Sequence, residues 1–176
     1  MKLLPTLLIV SVFSAFTTLA AEPAAAAPTA ATAPTAGQIG CDAPKIEGVD
    51  YVKGTFDGTF KPGTVYVVEF WATWCPPCRA SIPHLSSLQQ KYGDKVVVIG
   101  ISSEAIDKVK TFIADPKLKM EYVVGVAKTA KMNELYMKAF KQRGIPCAFI
   151  VGKDGKIAYV GHPMGMDKDL ENIVRK

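Results

Sequence analysis

The sequence VVEFWATWCPPCR, residues 67–79, decides the predicted fold of this chain. An apolar run of strand-forming residues leads directly into Cys75 and Cys78, which stand where a helix is expected to begin. Two thiols at this spacing can close a disulfide or bind a metal, and their position favours the disulfide. The N-terminus of a helix carries unpaired N–H groups and a partial positive charge, which favour a thiolate over a thiol. We therefore predict Cys75 as a nucleophile, Cys78 as its resolving partner, and thiol–disulfide exchange as the chemistry.

The two cysteines lie within a predicted strand–helix–strand unit. β-Branched and apolar residues run through 65–72 and 96–102, as in strands that are buried on both faces of a sheet. Between these runs, Ile82, Leu85 and Leu88 have the spacing of one helix face. This order predicts an α/β fold in which the first strand leads into the helix at the cysteine pair.

Further elements are predicted on both sides of this unit, from apolar spacing and turn residues. Downstream they are helices over 104–114 and 128–141, a strand over 122–126, a hairpin with arms at 148–151 and 157–160, and a last helix capped by Asp167. Upstream, the Gly- and Thr-rich residues 46–60 predict a small N-terminal β-hairpin.

The N-terminal part of the chain has the composition of a targeting segment. Residues 1–20 combine Lys2, an apolar run and a small-residue site at Ala20, which predicts a signal peptide or, if it is not cleaved, a membrane anchor. Residues 21–38 are almost pure Ala, Pro and Thr and predict a disordered linker, so the domain spans 39–176. We expect export to the periplasm or another extracytoplasmic compartment, with membrane contact only through a retained anchor.

The charge pattern argues against a nucleic-acid partner. The formal net charge is +5, but basic and acidic residues alternate along the chain without a long run of one sign. Such a pattern is typical of a solvated surface, whereas nucleic-acid binding needs clustered Lys and Arg.

WATWCPPC at 71–78 and GIPCAFIVGKDGKIAYVG at 144–161 give the chain a family resemblance. Over residues 40–176 it resembles thioredoxin-fold redoxins of the TlpA/ResA kind. The resemblance implies an α/β, thioredoxin-like fold with a central mixed β-sheet flanked by helices, to which the predicted N-terminal β-hairpin is an extension. It also implies an exported thiol–disulfide oxidoreductase without a cofactor, which acts on cysteine-containing proteins, receives electrons from a redox partner protein, and serves as a reductant in cytochrome c maturation.

The resemblance further assigns roles around the cysteines. It makes Cys75 the exposed nucleophile and Cys78 the buried resolving thiol. It places a cis peptide bond at Pro146, which lets Ile145 offer its backbone to a substrate chain. Three more residues beside the thiols would contact the substrate as it docks, namely Trp74, Pro76 and Pro77.

Glu69 is a candidate proton carrier on an otherwise apolar strand. A carboxylate six residues before Cys75 must be buried or nearly so, which raises its pKa and suits it to proton transfer. Thioredoxin-like proteins carry an acid at this place, where it serves the residue matching Cys78. The alternative is a structural Glu69 that faces water or pairs with a lysine.

Several residues depart from the family pattern and leave alternatives open. Cys147 is either a third redox thiol near the pair or a small packing residue, and Cys41 could pair with it, with another chain, or stay free. His162 and the nearby methionines are donors that Cu(I) accepts, so a copper-delivery module using the two active-site thiols and His162 is the alternative function. We favour a simple loop at 161–166, no metal, and a surface or capping role for His84. Peroxide reduction is disfavoured, because Ala72 stands where that chemistry needs a threonine.

Overall fold

The computed structural model describes residues 35–176. The predicted signal segment and residues 21–34 of the predicted linker lie outside the described residues. Within 35–176, no helix combines the length and the apolar character needed to cross a bilayer.

The centre of the fold is a six-stranded sheet in the order β1-β4-β3-β2-β5-β6. β2, β3 and β4 run parallel, whereas β5 is antiparallel to β2, β6 to β5, and β1 to β4. The strands are β1 Val49–Lys53, β2 Val65–Phe70, β3 Val96–Ser102, β4 Val123–Ala127, β5 Cys147–Val151 and β6 Ile157–Gly161. This mixed sheet, with helices on both faces, is the thioredoxin-like α/β fold that the resemblance implied.

Within residues 35–176, four helices cover the sheet. They are α1 Pro76–Tyr92, α2 Ile106–Ile113, α3 Lys131–Asn133, which continues as a π-helical turn over Glu134–Lys138, and α4 Asp167–Arg175. Short 3-10 turns occupy Gly93–Lys95, Pro116–Leu118 and Pro163–Gly165. The predicted strand–helix–strand unit is therefore β2-α1-β3, and α1 begins one residue after Cys75.

The alternation of side chains along the strands gives the sheet two buried faces. One core cluster holds Val67 and Trp71 from β2 and the segment after it, together with apolar residues of α1, α2 and α4. The other holds Val68 and Phe70, together with α3 and the chain around Cys41. The cysteine pair belongs to the first cluster, which we call the α1 face; the second is the α3 face.

The predicted N-terminal hairpin is wrong. β1 is a single edge strand, with Val49 opposite Ala127 of β4, and no second arm follows it. The free edge of β4 supplies the backbone partners that a hairpin would otherwise supply. The expected second arm is an irregular segment in which Phe56 and Phe60 pack against Tyr66, with ring centroids 5.0 to 5.7 Å apart.

The predicted helix over 128–141 is shorter and partly π-helical. It begins at Lys131, and the Ala139 N–H donates to the Glu134 carbonyl five residues earlier. Lys141 then takes a positive φ of 57°, which ends the helix. The wider π turn lets Tyr136 and Met137, neighbours in sequence, both be buried.

Asp167 does not cap α4 as predicted. Met166 precedes the helix without a side-chain cap, and Asp167 lies in the first turn. Its Oδ1 lies 2.9 Å from Nε2 of His84 on α1. His84 therefore lies beside the start of α4 rather than capping a helix.

Candidate active site

Cys75 and Cys78 form a disulfide at the N-terminus of α1. Their sulfurs are 2.10 Å apart, and the Cα atoms are 5.2 Å apart. Cys75 has an extended backbone and serves as the N-cap, and the Cys78 N–H points at its sulfur from 3.2 Å. After reduction this N–H and the positive end of the helix would stabilise a Cys75 thiolate. Pro76 and Pro77, which separate the two cysteines in sequence, are exposed at the first turn of the helix. Proline lacks a backbone N–H, but at this position an N–H would have no partner within the helix, so no hydrogen bond is lost.

Cys75 is more buried than the exposed nucleophile that the resemblance implied. Only 2% of Cys75 is exposed in this disulfide form, and Cys78 is fully buried. The reason is local: the Cys75 sulfur turns inward to bond Cys78 and lies 3.7 Å from the Ile145 carbonyl oxygen. A substrate must therefore reach the sulfur through the residues that surround it.

Those surrounding residues include the predicted docking residues. The Ile145–Pro146 peptide bond is cis, the conformation expected from the sequence. Trp74 is 65% exposed and is among the largest exposed apolar side chains of residues 35–176. Trp74 and Ile145 line a cleft of about 260 Å³, which we call the tryptophan cleft, together with Phe70, Trp71, Ala72, Ile101, Ser103, Glu104 and Asn133.

Glu69 is fully buried on β2, beneath α1. It faces neither water nor a lysine. Instead, Ser81 Oγ lies 3.0 Å from its Oε1, and the Tyr122 hydroxyl lies 3.4 Å from its Oε2. Burial raises the pKa of Glu69 to about 8, although both hydroxyl contacts favour the ionised form. The burial of Glu69 is as predicted, and with this raised pKa a protonated carboxyl predominates at neutral pH.

Ser81 connects Glu69 to the helix that carries the resolving sulfur. Its Oγ is also 2.8 Å from the Cys78 carbonyl oxygen. A hydroxyl has one proton to donate but can accept two. Both contacts are therefore satisfied together when a protonated Glu69 donates to Ser81 and Ser81 donates to the Cys78 carbonyl.

The two remaining cysteines are buried and free, on the α3 face of the sheet. Cys147 packs in the cluster with Phe70, opposite the face that holds the disulfide. The pKa of Cys147 is raised to about 11, mainly because the thiol is buried. A hydrogen bond from the Gly161 N–H lowers this pKa, and the nearby Glu69 raises it further. A thiol of this kind stays protonated and unreactive. The packing interpretation of Cys147 fits these facts better than the third-thiol interpretation.

Cys41 and Cys147 are too far apart to pair. The Cys41 carbonyl accepts a hydrogen bond from the Ile157 N–H at one end of β6, whereas Cys147 is bonded at Gly161, at the other end. Four residues of strand span about 13 Å, and a disulfide needs Cα atoms within about 7 Å. Cys41 is only 4% exposed and unpaired, so of the possibilities left open by the sequence a free, buried thiol fits the structure.

The residues of the copper alternative are not arranged as a metal site. His162 Nδ1 accepts the backbone N–H of Met164, and Met166 is buried in the core. Among residues 35–176, no three His, Cys, Asp or Glu side chains lie close enough to hold an ion.

Sequence reasoning missed three side chains that contact the site. Ser81 and Tyr122 hold Glu69, and Glu104 holds the loop before Cys75 through two contacts with Thr73. A signal for Glu104 exists: it follows the end of β3, and the carboxyl ends of parallel neighbours β2 and β3 lie at the same edge of the sheet.

Comparisons with known proteins agree with this geometry. The profile of the AhpC/TSA family matches residues 39–160. Protein FixW of Rhizobium leguminosarum is 27% identical over 77% of this chain and 66% of its own length. Thiol-disulfide oxidoreductase ResA of Bacillus thuringiensis subsp. konkukian is 29% identical over 79% of this chain and 78% of its own.

Solved structures share the fold. A thiol-disulfide isomerase from Corynebacterium glutamicum has a TM-score of 0.63 at 21% identity, covering 76% of this chain and 97% of that one. The thioredoxin domain of a thiol-disulfide oxidoreductase from Bacteroides vulgatus has a TM-score of 0.62 at 20% identity, covering 78% and 98%. With the family match, the relatives and the cysteine pair taken together, the chain belongs to the AhpC/TSA family, as a thioredoxin-fold thiol–disulfide oxidoreductase of the TlpA/ResA kind.

Proposed function

We propose that this chain is exported and reduces disulfides of other proteins through Cys75 and Cys78. The observation that carries the proposal is the redox pair at the N-terminus of α1, with the buried Glu69 and its raised pKa beneath the same helix. A helix N-terminus supplies a nucleophilic thiolate, and a buried acid supplies a place for the proton of the second thiol.

The reaction begins from the reduced protein. The Cys75 thiolate attacks one sulfur of the substrate disulfide, a mixed disulfide forms, and the first substrate thiolate leaves and takes a proton from water. In the fraction of molecules in which Glu69 is ionised, its carboxylate then accepts the proton of Cys78, and the Cys78 thiolate attacks the Cys75 sulfur. The second substrate thiolate leaves. Two electrons have passed to the substrate, Cys75 and Cys78 are joined, and Glu69 is protonated, which is the state that its pKa favours here.

We assign Trp74, Pro76 and Pro77 to contact with the substrate and Ile145-Pro146 to docking of its backbone. The support is their position: the first three are exposed around the disulfide, and the Ile145 carbonyl oxygen lies 3.7 Å from the Cys75 sulfur. On the family resemblance, apocytochromes c are the proposed substrates and a membrane electron donor is the proposed source of electrons.

The proposal of export rests on residues 1–20 and on the chemistry of the pair. The N-terminus of the mature protein in the native host tests it. A protein that begins after Ala20 or Ala21, outside the cytosol, or an intact one in the membrane fraction, would support export. An intact protein in the cytosolic fraction would contradict it.

A redox titration tests the direction of electron flow. The full-length chain is equilibrated in graded thiol–disulfide buffers, alkylated, and mapped by peptide mass. We expect one two-electron couple at Cys75–Cys78, near the potential of thioredoxin at about −270 mV or below. A value near about −120 mV would instead identify a disulfide donor, and the absence of a reversible couple would contradict the exchange chemistry itself.

A further inference from the structure

The loop that leads to the disulfide is held by a carboxylate from a different element. Glu104 is 31 residues beyond Thr73, but its Oε2 accepts the Thr73 N–H at 2.6 Å and its Oε1 accepts the Thr73 hydroxyl at 2.9 Å. Both oxygens therefore bind one residue, which fixes the loop in position and in orientation. Thr73 is only 7% exposed and directly precedes Trp74 and Cys75.

Glu104 is itself held in place by its neighbours. Lys108, one turn into α2, brings its Nζ to 2.6 Å from Oε1, and the backbone N–H of Glu104 donates to Ser102 Oγ. Partial burial alone would raise the pKa of Glu104, but the bonds from Lys108 and Thr73 outweigh it, so the pKa is lowered. The carboxylate is therefore ionised, and its bonds to Thr73 are of the stronger, charge-assisted kind.

The residues of this contact line two different clefts. One is the tryptophan cleft, to which Glu104 contributes. The other is a larger cleft of about 690 Å³ lined by Thr73 and Lys108, in which Arg79 lies over the ring of Phe112 at 5.7 Å. The loop contributes Thr73 to the larger cleft and its neighbours Ala72 and Trp74 to the tryptophan cleft, so a movement of the loop would change both.

We propose that Glu104 is a positioning residue for substrate docking. Its two bonds to Thr73 hold the loop so that Trp74 and Cys75 meet a protein substrate in one fixed arrangement. Glu104 acts through Thr73 and not on the sulfurs, so its loss weakens the binding of a protein disulfide more than the reactivity of the pair. The inference rests on the proposed exchange with protein substrates.

The test compares a protein disulfide with a small thiol. Reduced full-length chain is mixed with insulin, and the rate of oxidation of Cys75–Cys78 is measured against insulin concentration; the reduction of the oxidised chain by dithiothreitol is measured separately. For Glu104→Ala we expect the KM for insulin to rise about ten-fold, since small misplacements at a docking loop have effects of this order or larger. We expect kcat, the dithiothreitol rate and the reduction potential to stay within about two-fold of the original.

Matched variants separate positioning from a general loss of charge or stability. Glu134→Gln removes the other Glu–Lys contact of the same four-residue spacing, with Lys138 at 3.7 Å, and should leave the KM unchanged. Thr73→Val removes one of the two bonds and should raise the KM, whereas Thr73→Ser keeps both donors and should restore it. The Thr73 pair decides the matter if Glu104→Ala does not fold.

The outcomes are distinct. An unchanged KM for insulin in folded Glu104→Ala, or equal KM values for the two Thr73 variants, would overturn the positioning role. A fall in kcat and in the dithiothreitol rate, at constant KM, would also overturn it, because Glu104 would then act on the chemistry. If the original chain failed to react with dithiothreitol and insulin alike, the proposed function would fail, and the positioning role with it.

Discussion

Ser81 Oγ lies 3.0 Å from Glu69 Oε1 and 2.8 Å from the carbonyl oxygen of Cys78. One hydroxyl thus joins the buried acid on β2 to the helix residue that carries the resolving sulfur. Because the hydroxyl has a single proton, Ser81 donates either to an ionised Glu69 or to the Cys78 carbonyl, and in the second case a protonated Glu69 can donate to Ser81. Ionising Glu69 requires Ser81 to turn its proton away from the Cys78 carbonyl, so the charge of the acid and the first turn of α1 are coupled.

The stability of the oxidised protein should fall as pH rises toward 8. The folded protein holds the Glu69 proton up to a pKa of about 8, whereas the unfolded chain releases it near the ordinary 4.5. The contribution of the Glu69 proton to the free energy of unfolding is therefore full below about pH 4.5. It declines by up to about 1.4 kcal/mol per pH unit above that value and is lost above about pH 8. Urea unfolding of the oxidised chain from pH 5 to 9 measures it.

Two variants are controls for this pH dependence. Glu69→Gln has no titrating group, so the decline should flatten; an unchanged slope would assign it to other residues. Ser81→Ala removes a donor that favours the ionised carboxylate, so the pKa of Glu69 should rise and the decline should extend to higher pH.

Glu69→Gln should also slow the resolving step. Without a carboxylate to accept the Cys78 proton, decay of the mixed disulfide should slow by about a hundred-fold, the usual range for loss of a general base. Stopped-flow mixing of reduced protein with a disulfide substrate, followed by acid quenching, measures this decay. Equal decay rates in the two proteins would exclude Glu69 as the proton acceptor.

Cys78→Ser should trap substrates, and Cys75→Ser should not. With Cys78 replaced, Cys75 can still attack, but nothing displaces it, so a mixed disulfide accumulates. Non-reducing electrophoresis with mass mapping identifies the linkage. Cys147→Ser is the matched control, because the residue lies on the α3 face and should leave trapping and turnover unaffected. Adducts on Cys147 rather than Cys75 would contradict these assignments.

Native alkylation should distinguish the Cys75 thiolate from the buried thiols of the α3 face. After reduction, we expect iodoacetamide to modify Cys75 first, because its sulfur receives the Cys78 N–H at the helix N-terminus. Cys41 and Cys147, at 4% and 2% exposure, should react only when the chain unfolds, at a rate that rises with urea. Timed quenching and peptide mass analysis give the order. Rapid native labelling of Cys147 would revive the third-thiol interpretation.

Gly100→Ala should displace Trp71. A Cβ at this position would lie 3.0 Å from Trp71 Nε1 and 3.1 Å from Tyr122 Cε2. Both rings are buried, so one must shift, at a cost of about 1 to 3 kcal/mol in the free energy of unfolding. Denaturant unfolding and tryptophan fluorescence measure the change. Gly165→Ala, whose nearest contact would be an ordinary 3.5 Å, should leave both signals nearly unchanged.

The sequence was most informative where one local pattern had one structural outcome. Continuous apolar runs with a cysteine pair predicted the β2-α1-β3 unit, and the Asp-Gly turn predicted the β5–β6 hairpin. The burial and raised pKa of Glu69 followed because every neighbour along its strand is apolar. These features depend on interactions between residues that are close in sequence, so the sequence alone is enough to predict them.

The failures depended on partners that are distant in sequence. Residues 46–60 resembled a hairpin because nothing local shows that β4 offers a free edge to β1. Asp167 was predicted to cap α4, but in the structure it lies in the first turn of the helix and its side chain contacts His84, which is distant in sequence. The position of Glu104 after the end of β3 indicates only which edge of the sheet it lies at, since Thr73 becomes its neighbour only when the ends of β2 and β3 meet. Cys75 was expected to be exposed because a sequence does not state whether its sulfur is paired.

The placement of the four cysteines bears on how the chain acquires its disulfide. Four cysteines allow three ways of forming two disulfides, and most oxidising systems would sample them in an unfolded chain. Once the sheet has formed, its strands separate Cys75 and Cys78 from the other two, which are themselves some four strand residues apart. In the folded chain Cys75 is then close enough only to Cys78 to form a disulfide. We therefore expect oxidative folding of this protein to reach the Cys75–Cys78 pairing without the help of an isomerase.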